Sequence, residues 1–181
     1  MATRKRNGAA AKSNEGRAAR KTNGRATKRK LNPIPKGYRT VTPTLNQADA
    51  KATIAFCRKA FGAKLKGKIG GPKGKLMHAE IEIGNSIVML SDAVMEPARP
   101  ASLFLYVEDV DKTMAKAVKA GAKVVMPADD MFWGDRFGSV EDPQGNRWGI
   151  GSRIEKVTDV ELKKRARVAA KEMATAMAAT G

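Results

Sequence analysis

The sequence predicts an α+β fold made of two βαβββ modules, and three observations carry that prediction. The stretch LMHAEIEI (76–83) alternates, with Met77, Ala79, Ile81 and Ile83 on one face and His78, Glu80 and Glu82 on the other. That period of two belongs to a half-buried strand. Ala50, Ile54, Cys57 and Phe61 are spaced four, three and four along one helical face, and Gly62 is a natural stop. Finally, Gly62-Ala63-Lys64 recurs as Gly121-Ala122-Lys123, 59 residues on, and the Gly84 turn has a counterpart at Gly145, 61 residues on. One unit repeated twice is a duplication, not a solenoid.

The elements follow in order. A short strand over 41–45 leads into a helix over 47–61. Strands over 64–69, 76–83 and 86–90 come next, with Gly70-Gly-Pro-Lys-Gly74 and Gly84-Asn85 as turns. The second module opens with an apolar strand over 102–107. Asp109 or Asp111 caps a helix running to about 120, and strands over 123–126, about 137–141 and 147–151 complete it. Asp142, Pro143 and Gly145 read as turn formers. Thr158 and Glu161 fit a capping box for a helix to Ala179, with Leu162, Ala166, Ala169, Met173 and Met177 as a thin apolar stripe. That stripe suits packing on the domain itself or across a dimer. The chain therefore divides into a leader (1–37), a domain (38–155, with modules at about 40–92 and 101–153) and a C-terminal amphipathic helix (156–181).

Charge separates the leader from the rest. The chain carries a formal +17, yet residues 1–37 hold twelve of its 35 Lys and Arg and one of its 18 Asp and Glu. All nine aromatic residues lie at or after Tyr38. A segment so poor in apolar side chains cannot offset its ordering entropy and is expected to be disordered. It can neutralise phosphates and contact nucleic acid without sequence preference, or serve only as a solubilising tail; it has no aromatics for base stacking. No run approaches the roughly 18 apolar residues of a membrane span, and no secretory apolar region follows the basic start. A mitochondrial presequence would need an apolar helical face that the first residues lack. The single Cys57 excludes an internal disulfide and fits a reducing compartment, so the expectation is cytoplasmic, with no membrane partner.

The stretches ATIAFCRKAFGAKL, KLMHAEIEIGNSIVML, LFLYVEDVDKTMAKAVKAGAKVV and WGDRFGSVEDPQGNRWGI together resemble the vicinal-oxygen-chelate superfamily. This is the glyoxalase/bleomycin-resistance protein/dioxygenase family, and the likeness is strongest to its phosphonate-operon-like subgroup. The resemblance spans about residues 40–155. It implies that the two modules pair their sheets into an incomplete barrel around a pocket, often in a homodimer. Metal-dependent members hold a divalent ion with His and Glu on four strands, leaving room for two substrate oxygens. Those positions carry over to Thr42, Met89, Ser102 and Gly149, and a slip of one residue brings no ligand. The chain also has one histidine, so one copy cannot supply a two-His site. No cofactor is expected, with a divalent metal as the alternative.

The residues weighed for a ligand or for chemistry are few. His78, the chain's single imidazole, is the one acid–base candidate, against a plain surface or hydrogen-bonded role. His78 with Glu80 and Glu82 offers a weak cation site, though such spacing is common on solvated strands. Met131-Phe-Trp-Gly-Asp-Arg-Phe137 is the densest aromatic cluster, and Phe132, Trp133, Asp135 and Arg136 suit either a flat ligand or an ordinary core. Met89, Tyr106 and Trp148 complete the expected ligand-binding set. Cys57 reads as a packed small hydrophobe. Function is thus expected to be small-molecule binding of the drug- or metabolite-sequestering type. The alternatives are a lyase, isomerase or dioxygenase with a divergent site, and a nucleic-acid-associated protein acting through its leader.

Overall fold

The computed structural model describes residues 31–179. Most of the leader, and with it the expected disorder, lies outside the described residues. Of a first unit, Met1–Pro33, only 31–33 are described, without helix or strand. The second unit begins at Ile34 and holds every element below.

The first module runs β1 (Thr44–Gln47), α1 (Ala50–Phe61), β2 (Lys64–Gly70), β3 (Leu76–Ile83) and β4 (Ser86–Asp92). The second runs β5 (Ser102–Tyr106), α2 (Val110–Lys119), β6 (Lys123–Asp130), β7 (Asp135–Glu141) and β8 (Arg147–Arg153). A last helix, α3, spans Asp159–Ala179. The two sheets share one plan, β1-β4-β3-β2 and β5-β8-β7-β6, with the first strand of each module parallel to its last. Among the described residues they do not close into a barrel.

Local chemistry fixes the element ends. The Asp49 carboxylate accepts from the Ala52 amide at 2.9 Å and caps α1, so the helix starts at Ala50 and not at the expected 47. Gly62 ends it with φ of 67°, a left-handed conformation that glycine adopts at no steric cost. Likewise β1 starts at Thr44 instead of 41. Pro43 has no amide to give a sheet, and the Thr42 hydroxyl donates back to the Arg39 carbonyl at 2.8 Å. Asp109, not Asp111, caps α2. β6 reaches Asp130, beyond the expected 126, because two register shifts against β7 carry it past Pro127. β7 correspondingly begins at Asp135, ahead of the expected 137.

One core joins the modules. Trp148 is fully buried, and its indole packs 4.9 Å from the Phe61 ring of the first module. Leu45, Ile54, Ile81, Leu90, Val140 and Ile150 share this cluster. A buried polar network lies beside it. Gln47 and Asn146 exchange amide hydrogen bonds at 3.2 and 2.6 Å, and the Thr53 hydroxyl donates to Gln47 Oε1. The Asp142 carboxylate takes the Asn146 amide and the Trp148 indole N–H. Asp142 thus forms the turn and also anchors the core.

No residue of α3 is buried; Arg165 ties it by an ion pair to Glu155 ahead of the helix and pairs with Glu161 within it. The Thr158 hydroxyl accepts from the Glu161 amide, one half of the expected capping box. Among the described residues no helix is long and apolar enough to cross a membrane.

Candidate functional site

Each sheet has a face packed on the helices and an inner face turned away from them. On β5 the strand period sends Phe104 and Tyr106 inward, 48% and 67% exposed, with Leu103 and Leu105 on the core side. Phe104 stacks on Phe137 of β7, with centroids 5.3 Å apart and planes within 5°. The contacts extend from Phe104 to Tyr106 at 5.0 Å, from Phe137 to Trp133 at 6.1 Å and from Trp133 to Phe132 at 5.0 Å. Five rings therefore form a continuous run.

The floor beneath the rings is glycine. A Cβ at Gly149 would stand 3.0 Å from both Phe104 and Phe137, and one at Gly151 would stand 2.7 Å from Phe104. Any side chain on β8 at these positions would lift the rings off the sheet. At the rim, the Tyr106 hydroxyl donates to Asp135 Oδ2 at 3.0 Å, and Arg153 stands 3.8 Å from the other oxygen. That bond, then burial and the Asp135 charge, push the Tyr106 phenol above its ordinary range.

On the first sheet the alternation of β3 turns His78, Glu80 and Glu82 inward and buries Ala79 and Ile81. His78 Nε2 lies 3.0 Å from Glu80 Oε1. Glu80 also accepts from the Tyr38 hydroxyl. Tyr38 first, and His78 second, hold the Glu80 carboxyl below the usual carboxylate range, and the Tyr38 phenol is raised in turn. Met89 of β4 stands opposite Glu80 in the register. Glu82 is paired with Lys66 at 3.1 Å.

The expected ligand-binding residues thus fall into three groups. Tyr106, Phe132, Trp133 and Asp135 come together with the inner face of the second sheet. His78 and Met89 belong to the first sheet. Arg136 and Trp148, also in the expected set, stand apart on the helix side. Arg136 forks onto Asp111 of α2 at 2.6 and 2.7 Å and reaches Asp130 at 2.9 Å, and Trp148 is core. Phe104, Tyr38 and Gly151 were not singled out from sequence as site residues; Phe137 entered only as the end of the aromatic segment, and Gly149 only as a carried-over metal position. The run Leu103-Phe-Leu-Tyr106 is apolar throughout and hides its faces; the i, i+2 spacing of Gly149 and Gly151 is the one signal that could have marked the inner face. Cys57 is fully buried, and burial, followed by the Asp142 charge, pushes its thiol up to about 12.

A family profile, the glyoxalase/bleomycin resistance protein/dioxygenase superfamily, matches residues 39–150. The chain belongs to this superfamily. An uncharacterized protein of Mycobacterium tuberculosis is 38% identical over 135 residues, covering 68% of this chain and 79% of that one. TioX from Micromonospora sp. ML1 has the same fold, with a TM-score of 0.55, 24% identity, and coverage of 62% of this chain and 97% of that one. A glyoxalase/bleomycin resistance protein/dioxygenase from Nocardioides aligns with a TM-score of 0.51 at 20% identity, over 67% of this chain and 87% of that one.

Membership raises the question of the metal. Of the four positions that the resemblance assigns, Thr42 lies ahead of β1 with its hydroxyl turned to Arg39. Met89 and Ser102 offer a thioether and a hydroxyl, and Gly149 offers nothing beneath two rings. These residues do not fit a divalent ion. Among the described residues no group of three or more His, Cys, Asp and Glu could hold one.

Proposed function

We propose that this chain binds a flat, largely apolar small molecule on the inner face of its second sheet, without a metal and without reacting with it. It would then be a drug- or metabolite-sequestering member of the superfamily. The run of rings over Gly149 and Gly151 supports this most directly. Where a fourth ligand would project, rings fill the space, and stacked aromatic faces suit a flat guest. Asp135, itself buried, holds the Tyr106 ring in place at the rim through the phenol hydroxyl. In this reading a second copy completes the site. Both inner faces stand open, with Ile69, Phe104 and Tyr106 exposed, and a homodimer would set one copy's first sheet against the other's second.

The test is calorimetric titration of the full chain with a panel of fused-ring aromatics. Saturable binding is expected, weakened roughly tenfold by Trp133→Ala. Equal affinity in both proteins would remove the aromatic face as the site. One observation favours a second reading, catalysis at a divergent site: His78, Glu80 and Tyr38 form a connected donor–acceptor chain that could move a proton. Turnover of a bound panel member, abolished by His78→Asn, would shift the account to that reading.

A further inference from the structure

A cleft of about 1060 Å³ opens where the stretch ahead of β1, the end of α1 and the edge strand β5 come together. Its walls are largely apolar, with Val41, Pro43, Phe61, Ile87, Leu103 and Leu105 among them. Four cations border it: Arg39, Arg58, Lys59 and Lys116. No Asp or Glu lines it. None of the four makes an ion pair among the described residues. The contrast with Arg136 and Arg165, which hold two carboxylates each, is within the same chain.

Helix dipoles explain part of this. Arg58 and Lys59 sit in the last turn of α1, and Lys116 in the last turn of α2, where cations are favoured. The dipole does not explain why both helices end at one cleft, why Arg39 adds a fourth charge, or why no carboxylate relieves them. Cations gathered around apolar walls repel one another and lower their energy by admitting an anion.

We propose that this cleft binds an amphipathic organic anion, with its charged head among Arg39, Arg58, Lys59 and Lys116 and its apolar body along the walls. The volume suits a molecule of drug size. Tyr106 and Phe104 border both this cleft and the aromatic face, but the charges belong to the cleft alone. The proposal stands independently of the sequestering role.

The experiment compares 2-naphthoate with its neutral isostere 2-naphthamide by calorimetry on the full-length protein. Three variants accompany it: Arg58→Gln, the double variant Arg58→Gln/Lys116→Gln, and Trp133→Ala. Arg58 and Lys116 are exposed, so the charge variants are expected to fold, and circular dichroism melts check this. Naphthoate is expected to bind roughly tenfold more tightly than the amide, to lose about that factor in the double variant, and to weaken as salt is raised. Trp133→Ala should leave the preference for acid over amide unchanged, because the four charges belong to the cleft. Three results would overturn the proposal: no naphthoate binding, equal affinity for acid and amide, or a preference for the acid that is lost with Trp133→Ala but not with the charge variants. The last would place the ligand on the aromatic face.

Discussion

At the scale of single residues, Asp92 shows how much one side chain can tie together. It is buried, and its two oxygens accept from the amides of Ala50 and Leu76 at 2.8 and 2.6 Å, joining the start of α1 to the start of β3. Burial opposes its charge, but these two donors, with Lys75 and Lys51 nearby, outweigh it and hold the carboxyl below its ordinary range. A depressed carboxylate stabilises the fold fully above its unfolded pKa of about 3.9, and the contribution is lost as pH falls through the lower folded value. Asp92→Asn is therefore expected to cost about 1–3 kcal/mol at neutral pH. Urea unfolding at pH 7 and at pH 3 would show the gap between wild type and variant narrowing in acid. A constant gap would mean that the charge is not what matters. From the sequence, Asp92 was only a residue two positions past a predicted strand. A carboxylate's partners can lie anywhere along a chain, and both of these are backbone amides that no residue type announces.

At the scale of elements, strands and helices were legible wherever one face is apolar and the other polar, as in β3 and α1. Boundaries were less so, because they depend on caps and on sheet register: Asp49 starts α1 late, and β6 outruns its own pattern. The join between modules was not legible, since it rests on polar residues 99 apart in sequence, Gln47 and Asn146. Asn146 satisfies the Gln47 amide, the Asp142 carboxylate and the Ala101 N–H at once. Asn146→Ala would take one partner from each end of the Gln47 amide, 2% exposed, and one from the Asp142 carboxylate, and is expected to cost at least ~2 kcal/mol. A double-mutant cycle with Gln47→Ala should show coupling, the second substitution costing less once the first is made. Simple additivity would show that the two residues act separately.

At the scale of the whole molecule, the duplication was readable from two turn anchors, and the resemblance carried the fold. What neither carried is how the modules meet. They share a core through α1, α2 and Trp148, and this leaves the inner faces of both sheets open in one chain. The aromatic face was half legible. Trp133, Phe132, Tyr106 and Asp135 were named from the sequence, but the stacked pair Phe104–Phe137 and its glycine floor appear only once register is known. The same register sets Arg136 and Trp148 on the other side.

The central claim is that this superfamily member binds its ligand without a metal. Native mass spectrometry of untagged protein, purified without chelator and soaked in nickel, zinc, manganese and iron(II), tests it most directly. The expected result is an ion at twice the chain mass with no metal increment. An ion carrying one tightly held divalent metal per chain would contradict the account and move the search to the chemistry that such a metal performs.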